Sequence, residues 1–458
     1  CLLLTTIGFL LTRCIPVARP RMKYYFHVCL SKGMQSLMYI MGNVRKELIH
    51  PERADWNKPA VLIANHSSFL DLVRIISLHP RILLLTNRWV WRSPVFGWLV
   101  RMADYYPVEE GAAYSVAKLR EWVARGYSVA VFPEGTRSYD DQIGRFHKGA
   151  FYLAQELQLD LQPILLHGIG YKMRKGDYML KNGEIVVEFL PRIAFNDQRF
   201  GNTLAEKARL TGAYFRKEYE RLRASRQNVD YFREQLIHQY LYKGPVLEWY
   251  TRIKTRMEHN YRRIEALVPA DGHILDLGCG YGFLDYILCW TSANRSIQAL
   301  DYDEEKIAIA THAYLREDRL QFIHAQLPEW QSPRTYDCIL MLDMLHYLTP
   351  DNQAILLEKI YTWLAPGGIF ILRDGIAELQ QRIKGTRLTE FFSTQVFRFN
   401  KKENELHYIK LEDIKSFAHH NELSLQVIDD TTFTANLLLV MKKSSLLPVD
   451  SQHMTTAI

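Results

Sequence analysis

A glycine-rich turn in the second half of the chain constrains its fold more than any other feature. Residues 273–277, HILDL, form an apolar run typical of a buried strand, and Gly278, Gly280 and Gly282 follow it. Glycine has no side chain, so the backbone of such a turn can approach a ligand closely. The next apolar run, SIQALD, ends at Asp301, whose carboxylate can accept hydrogen bonds from both hydroxyls of a ribose. The pattern therefore predicts an α/β domain that binds a nucleoside-containing cofactor.

The spacing of these glycines argues against a dinucleotide. A dinucleotide-binding turn has the spacing GxGxxG, and Phe283 stands where its third glycine would be. Asp276, two residues before the turn, can instead hold an ammonium group through water. Further predicted strands follow SIQALD in an ordered series typical of a doubly wound sheet: 320–325, 336–342, 367–374, 423–429 and 436–442.

These segments resemble class I S-adenosylmethionine-dependent methyltransferases over roughly Asp230 to Lys443. The resemblance rests on the DxGxGxG turn, on Asp301, and on YDCIL and LAPGG at the family's fourth and fifth strands. It implies a Rossmann-like fold of seven strands and S-adenosylmethionine as the cofactor. The implied cofactor contacts are Asp276, Gly278, Cys279, Gly280, Gly282, Asp301, Tyr302 and Gln326.

Three residues near this predicted site need interpretation. Gln326 stands where the family often has an acid that receives the adenine amino group, and its carbonyl can still accept that bond. Cys279 is interpreted as a small packed residue and not as a nucleophile. His346 follows the fourth strand and can be a base or a structural residue, and we favour the structural role.

The first half of the chain also alternates strand-like and helix-like segments, which predicts a second α/β domain. The predicted strands are 60–64, 128–132, 163–166 and 185–189, and residues 26–41 predict an apolar helix. The pattern becomes polar and helical after 196, and we place the domain boundary near Arg226. The predicted organisation is a membrane-proximal segment (1–23), a first domain (24–226), a second domain (227–444) and a tail (445–458).

The strand at 60–64 runs into a histidine and an aspartate with the spacing NHxxxxD. His66 lies at the strand end and Asp71 on the first turn of the following helix. A carboxylate that accepts from one ring nitrogen fixes the tautomer and leaves the other nitrogen as a base. Such a base can activate a substrate hydroxyl, so no nucleophilic serine is needed. Alone the pair is a weak signal, because a hydrogen-bonded pair of surface residues is the default interpretation.

A second motif, FPEGTR at 132–137, ends the strand at 128–132. Its glycine permits a tight turn, and Arg137 can clamp a phosphate with two parallel donors. NHxxxxD, FPEGTR and a later Pro-Ile strand, in that order, resemble glycerolipid acyltransferases that acylate lysophosphatidic acid, over roughly residues 24 to 223. The resemblance implies acyl transfer from acyl-CoA or acyl-carrier protein to a hydroxyl, with His66 as base and Asp71 as its orienting carboxylate. The implied acceptor contacts are Glu134, Gly135, Thr136 and Arg137.

One position departs from that family. Glu109 follows Val108 where the family usually has an arginine, so one phosphate contact is expected to be absent. This makes glycerol phosphate a less secure acceptor and favours a lipid-like acceptor of a dedicated pathway.

Composition limits the remaining functions. Of 458 residues, 48% are hydrophobic and 23% are charged, which is ordinary for a globular chain and argues against disorder or coiled coil. The net charge of +7 does not indicate nucleic acid and fits an anionic membrane surface or anionic substrates. The six cysteines show no paired short spacing, so we expect neither a metal site nor a disulfide framework.

An apolar run opens the chain at 1–11 and is followed by basic residues from Arg13 to Lys23. At about 1.5 Å per residue, this run reaches about halfway across the hydrocarbon core of a bilayer. We expect the cytoplasmic half of a spanning helix whose upstream part is missing, with a short buried or interfacial helix as the alternative. The expected location is the cytoplasmic face of a bacterial inner membrane.

The order of the two domains after such a segment resembles the C-terminal part of bacterial trifunctional proteins that begin with an RND/MMPL-type transporter. The resemblance implies a bifunctional enzyme of aryl-polyene or flexirubin-type lipid synthesis that acylates a lipid-like acceptor and methylates a small-molecule or lipid-linked intermediate. Two alternatives stay open. One is general phospholipid synthesis, with lysophosphatidate acylation and head-group methylation, and the other is a scaffold with an inactive acyltransferase half.

Overall fold

The chain divides into two compact units, Cys1–Arg226 and Gln227–Ile458. The computed structural model describes residues 19–42, 44–86, 88–93, 97–107, 112–138, 142–172, 181–257, 260–313, 315, 317–379, 406–429 and 436–445. The predicted apolar run at 1–11, Glu109, and residues 446–458 of the predicted tail lie outside the described residues.

The described part of the first unit holds a six-stranded sheet. Its strands are, in chain order, β1 (Val44–Ile49), β2 (Val61–Ala64), β3 (Ile82–Leu84), β4 (Ser128–Val131), β5 (Leu161–His167) and β6 (Gly183–Phe189). Their order across the sheet is β1-β6-β5-β2-β4-β3, and every neighbouring pair is parallel except β5 with β6. The four strands predicted from sequence form the centre of this sheet, whereas β1 and β3 at its two edges were not predicted.

Both faces of this sheet are buried. Along β2, Leu62 and Ala64 belong to one hydrophobic core, and Val61 and Ile63 belong to another. Strands covered on both faces read as continuous apolar runs, which explains the sequence of β2. The described helices of this unit are α1 (Arg19–Ile40), α2 (Leu70–Leu78), α3 (Arg88–Arg92), α4 (Gly97–Met102), α5 (Ala112–Val123), α6 (Gly149–Leu157), α7 (Ile169–Lys172) and α8 (Leu204–Arg226).

The residues described in the second unit form a seven-stranded sheet. Its strands are β7 (Asp271–Leu277), β8 (Asn294–Asp301), β9 (Leu320–His324), β10 (Tyr336–Leu342), β11 (Leu364–Gly375), β12 (Ser424–Ile428) and β13 (Asn436–Lys442). The order is β12-β13-β11-β10-β7-β8-β9, and β13 is antiparallel to both of its neighbours. The predicted fold class, two α/β domains with a Rossmann-like sheet of seven strands in the second, is therefore confirmed.

The strand order predicts where a ligand would bind on this second sheet. The chain steps from β7 outward to β8 and β9 and then returns to β10 on the other side of β7. Ligands of open parallel sheets bind at the carboxyl ends of the strands at such a switch point. Among the described residues, the helices of this unit are α9 (Val229–Gln239), α10 (Pro245–Met257), α11 (Asn260–Leu267), α12 (Phe283–Thr291), α13 (Glu304–Thr311), α14 (Pro350–Trp363) and α15 (Leu411–His420).

Across the ranges that the structure describes, no helix combines the length and the apolar character needed to cross a membrane.

Candidate active sites

His66 and Asp71 form a hydrogen-bonded pair at the end of β2. The Asp71 carboxylate is fully buried and its Oδ2 accepts a hydrogen bond from His66 Nδ1 at 2.8 Å. The same oxygen accepts from the backbone N–H groups of Ser67 at 2.6 Å and Ser68 at 2.8 Å. An ionised carboxylate only accepts hydrogen bonds, so His66 Nδ1 carries the proton and Nε2 holds the lone pair. The arrangement gives His66 the tautomer of a general base.

The FPEGTR turn lies directly against this pair. The ring of Phe132 stacks on the imidazole of His66 with 4.2 Å between the ring centroids. The backbone N–H of Ser138, just after the turn, donates to the carbonyl of His66 at 2.8 Å. The two motifs, about 70 residues apart in sequence, therefore build one site.

Glu134 connects the two loops of this site. Its Oε1 accepts from the backbone N–H of His66 and its Oε2 from the backbone N–H of Gly144, both at 2.8 Å. The side chain is 6% exposed, and burial raises the pKa of its carboxyl above the ordinary value. Glu134 is thus a positioning residue, and its predicted contact with the acceptor stays a prediction.

The other three predicted acceptor residues lie on the turn itself. Gly135 has a φ of 71°, a left-handed conformation that favours glycine, and Gly135 and Thr136 are exposed. Arg137 is partly exposed, and its guanidinium has no hydrogen-bond or ion-pair partner among the described residues. Arg137 is therefore available to an anionic ligand.

A second arginine of the first unit was not predicted. Arg74 lies on α2, three residues after Asp71, and burial lowers the pKa of its guanidinium to about 10. Its Nε is buried, and no acceptor of the described residues bonds it. Arg74, on the helix that carries Asp71, is therefore a second arginine of this unit, besides Arg137, for which no ion pair is seen among the described residues.

In the second unit, the glycine turn connects β7 to α12 with three left-handed residues. Gly278, Gly280 and Gly282 have φ values of 89°, 59° and 73°. A Cβ atom at Gly278 would lie 2.7 Å from Met344, and one at Gly282 would lie 2.4 Å from Phe322. A Cβ at Gly280 would meet nothing within 4 Å, so the backbone is open to a ligand at this glycine.

Asp301, at the end of β8, holds this turn. Its Oδ2 accepts from the backbone N–H of Gly280 at 2.8 Å and its Oδ1 from the backbone N–H of Asp303 at 2.9 Å. A carboxylate oxygen has two lone pairs, so each oxygen of Asp301 can accept a further bond from a ribose hydroxyl. The geometry fits a ribose beside the glycine turn.

A cleft of about 500 Å³, open solvent included, lies beside Asp301. It is lined by Gly278, Asp301, Tyr302, Ala325, Gln326, Leu327, Met344, Tyr347 and Leu348. Four of the predicted cofactor residues are in this lining. The other four, Asp276, Cys279, Gly280 and Gly282, lie in the turn or just before it and do not line the cleft. Burial raises the pKa of the Cys279 thiol well above its ordinary value, which suits a packed thiol and not a nucleophile.

Comparison with known proteins finds a family match within each unit. The family model for acyltransferases matches residues 41–167, and that for a methyltransferase domain matches residues 274–368. The chain joins an acyltransferase domain to a methyltransferase domain. The methyltransferase match makes S-adenosylmethionine the expected cofactor, and the position of Asp301 beside the glycine turn and the open backbone at Gly280 fit it.

Curated relatives match the acyltransferase domain. The chain is 35% identical over 134 residues to the chloroplastic 1-acyl-sn-glycerol-3-phosphate acyltransferase BAT2 of Brassica napus, which covers 28% of this chain and 39% of the relative. It is 34% identical to the Arabidopsis thaliana enzyme LPAT1, covering 28% of this chain and 38% of the relative. The chain thus spans about two fifths of the length of these relatives.

Solved structures resemble each domain. The 1-acyl-sn-glycerophosphate acyltransferase PlsC of Thermotoga maritima has a TM-score of 0.41 and 19% identity, covering 47% of this chain and 88% of its own. The N-methyltransferase NodS of Bradyrhizobium japonicum, in complex with S-adenosyl-L-homocysteine, has a TM-score of 0.32 and 14% identity, covering 41% of this chain and 86% of its own.

A second histidine–aspartate pair lies in the methyltransferase domain. His346 Nδ1 is 2.5 Å from Asp374 Oδ1, and both side chains are buried. Asp374 also accepts from the backbone N–H of Gly375 at 2.7 Å. His346 belongs to a short 3₁₀ helix, Leu345–Tyr347, whose Tyr347 lines the cofactor cleft. The contact with Asp374 fixes the orientation of the His346 ring, which is consistent with the structural role that we favour. The same contact is also consistent with His346 acting as a base.

Sequence reasoning also missed two buried polar residues. Asn65 bonds both the carbonyl and the N–H of Leu166, at 2.9 and 2.8 Å, and so ties the end of β2 to β5 beside His66. Asp285, on the first turn of α12, is fully buried beside Asp276. An aspartate among the apolar residues of FLDYIL was the available signal for Asp285.

Replacing Glu134 with glutamine tests its positioning role. A glutamine has one acceptor oxygen, so one of the two backbone N–H groups should lose its bond. Leaving a buried donor unsatisfied costs about 1–3 kcal/mol. We expect the acyltransferase domain to unfold at lower denaturant concentration and acyl transfer to fall, as measured by chemical denaturation and by product formation. The exposed Glu121→Gln is the control, and an unchanged denaturation midpoint in Glu134→Gln would contradict the role.

Proposed function

We propose that the chain is a bifunctional transferase. One domain transfers an acyl group from a thioester to a hydroxyl of a lysophospholipid-like acceptor, and the other transfers a methyl group from S-adenosylmethionine to a small-molecule or lipid-linked acceptor. The observation that carries the acyl-transfer proposal is the bond from His66 Nδ1 to the buried Asp71, because it makes Nε2 a proton acceptor. The same observation argues against the scaffold alternative.

The acyl step follows from that pair. His66 Nε2 removes the proton of the acceptor hydroxyl as its oxygen attacks the thioester carbonyl. Asp71 stabilises the imidazolium that forms. The C–O ester bond forms, the C–S bond breaks, and the proton passes from His66 to the leaving thiolate. The thiol is coenzyme A or acyl-carrier protein in this proposal.

The acceptor is proposed to carry an anionic head. Arg137 is partly exposed on the turn that packs against His66, which suits contact with a phosphate near the reacting hydroxyl. The curated relatives are named for 1-acyl-sn-glycerol-3-phosphate, which favours lysophosphatidate over other acceptors. A role in aryl-polyene or flexirubin-type lipid synthesis, and an upstream transporter, stay predictions that the neighbouring genes can test.

Arg137→Ala should raise the KM for lysophosphatidate more than it lowers kcat. A hydrogen bond to a charged group contributes about 1.5–3 kcal/mol, so the expected rise in KM is roughly ten- to hundred-fold. The measurement is steady-state acyl transfer from acyl-CoA at varied acceptor concentration. Arg209→Ala, an exposed arginine on α8, is the control. A KM that stays at the wild-type value would remove Arg137 from the anion site.

The methyl step needs binding and alignment above all. When bound, S-adenosylmethionine supplies an electrophilic methyl group. Asp301 is proposed to hold its ribose, Gly280 to allow close approach of the backbone, and Gln326 and Tyr302 to contact the adenine side of the cleft. The test is calorimetry of the whole chain with S-adenosylmethionine, and an absence of binding would overturn this half of the function.

An enzyme with a lipid acceptor meets its substrate at a membrane surface. We propose that this surface is the cytoplasmic face of a bacterial inner membrane. The exposed large apolar residues of α1, together with its exposed Arg21 and Lys32, suit an anionic lipid surface. These apolar residues are Tyr25, Leu37, Tyr39 and Ile40.

A further inference from the structure

The methyltransferase domain carries four large apolar side chains on its surface within nine residues of the chain. They are Leu241, Tyr242, Val246 and Trp249, which are 40%, 50%, 65% and 52% exposed and which we call the apolar patch. The other exposed large apolar residues in the described part of this unit, Ile355 and Val427, are far from them in sequence. Single exposed apolar residues are common on protein surfaces, whereas a cluster of them marks an interaction site.

Two short elements build the patch. Half of it lies on a 3₁₀ helix, Leu241–Lys243, and Val246 and Trp249 lie three residues apart on one side of α10. The opposite side of α10 is buried, and its Leu247 packs in the core of the domain. A helix that packs on one side normally has a polar outer side. The apolar outer side of α10 does not serve the core, which indicates contact with something outside the domain.

The charges around the patch are mainly positive. Residues 241–256 hold four basic side chains and one acid, Glu248, a balance of +3. Glu248 is neutralised by Arg252, whose Nη2 lies 2.9 Å from its carboxylate. Lys243 on the 3₁₀ helix is exposed, and so is Arg256, which lies two turns beyond the patch on the outer side of α10. Two exposed cations thus flank the apolar side chains and match an anionic surface.

The elements that carry the patch pack directly against the cofactor turn. Tyr240 Oη, just before the 3₁₀ helix, donates to the carbonyl of Tyr281 in the middle of the glycine turn at 2.5 Å. Tyr250 of α10 also contacts Tyr281, with 6.1 Å between the ring centroids. Tyr242 Oη donates to the carbonyl of Ile309 on α13 at 2.8 Å, which fixes one ring of the patch at the surface. A molecule that binds the patch is therefore held beside the cofactor site.

We propose that the apolar patch docks the methyltransferase domain onto an anionic lipid surface. Tryptophan and tyrosine rings prefer the head-group level of a bilayer, and Leu241 and Val246 suit the acyl boundary just below it. Lys243 and Arg256 meet the anionic head groups. The membrane contact proposed for α1 belongs to the other unit, so this surface is a separate one. The docking also brings a lipid-linked methyl acceptor to the cofactor turn, a consequence that rests on the proposed methyl transfer.

Hydrogen–deuterium exchange of the whole chain tests the docking locally, which is needed because α1 is also proposed to contact lipid. The probes are vesicles that contain phosphatidylglycerol and vesicles of phosphatidylcholine alone. We expect exchange at the backbone amides of residues 241–256 to slow with the anionic vesicles and to change less with phosphatidylcholine. Unchanged exchange in this segment with the anionic vesicles would overturn the proposal, whether or not the chain is bound through α1.

A double variant, Val246→Glu with Trp249→Glu, places two negative charges on the exposed patch. Protection of residues 241–256 by anionic vesicles should be lost in this variant, because the carboxylates repel the head groups and do not enter the acyl boundary. The control is Ile355→Glu, an exposed residue of α14, which packs on the other face of the sheet and should keep the protection. Protection that survives in the double variant would contradict the docking.

Two further measurements separate this inference from its alternatives. Light scattering without lipid should give the same molar mass for the wild type and the double variant, and a smaller mass in the variant would make the patch an interface between copies of the chain. S-adenosylmethionine should bind the double variant as it binds the wild type, because no patch residue lines the cofactor cleft. Cofactor binding by a wild type that shows no vesicle protection would overturn the docking alone. Absence of cofactor binding by the wild type would overturn the proposed methyl transfer instead.

Discussion

Replacing His66 with alanine should lower acyl transfer about 10²–10⁴-fold, the usual effect of removing a general base. The pair at the end of β2 leaves Nε2 as the proton acceptor, and no other imidazole among the described residues pairs with Asp71. Binding of S-adenosylmethionine should not change, because His66 and the cofactor cleft lie in different units. The measurements are the acyl-transfer rate with acyl-CoA and lysophosphatidate, and calorimetric binding of the cofactor by the same protein.

Two further variants separate the base from general disruption. His66→Gln keeps a polar side chain beside Phe132 without an imidazole base, and it should be as inactive as the alanine variant. His50→Ala removes an exposed histidine of the same domain and should keep full activity. Near wild-type transfer by either His66 variant would show that another group removes the proton.

Asp301→Ala should weaken binding of S-adenosylmethionine by about 1–3 kcal/mol, or roughly 5- to 150-fold in Kd. The carboxylate is expected to hold the ribose, and it also fixes the backbone of Gly280 at 2.8 Å. Loss of both roles is the reason for a large effect. Calorimetry with S-adenosylmethionine measures it, and NADH should give no binding heat with any variant.

Asp301→Asn distinguishes the two roles of the carboxylate. The asparagine oxygen can still accept from the backbone, so this variant should bind more tightly than Asp301→Ala and more weakly than the wild type. The exposed Asp351→Ala is the matched control and should bind as the wild type does. Unaltered affinity in Asp301→Ala would place the ribose elsewhere.

The central strands of both sheets were predictable because a strand that is buried on both faces has a nearly continuous run of apolar residues. β2 and β4 are short apolar runs, and β7 ends in an apolar stretch before its glycines. The edge strands carry less of that signal. β1, VRKELI, has charged residues at three of its six positions, and β3 is only three residues long. β1 is a strand because it pairs with β6, and β3 because it pairs with β4. Both pairings join residues that are distant in sequence, so a local pattern does not predict them.

The site residues also differ in whether their contacts could be predicted from the sequence. His66 and Asp71 are five residues apart on one loop and helix turn, so their spacing alone suggested the bond. Glu134 was assigned to the acceptor because it lies in the FPEGTR motif, but its oxygens bond residues 68 and 10 positions away. The partner of His346 is 28 residues away at the end of another strand. Such contacts depend on the strand order and leave no local pattern.

The bonds from Glu134 to His66 and from Ser138 to His66 have a consequence for lipid selection. They lock the loop of the base and the turn of Arg137 into one rigid piece. For the proposed acceptor, this fixes the distance between the anionic head at Arg137 and the hydroxyl at His66. The proposal therefore predicts that acceptors with this distance are used whatever their tail length or unsaturation. It also predicts that an isomer whose hydroxyl is moved by a single carbon is not acylated.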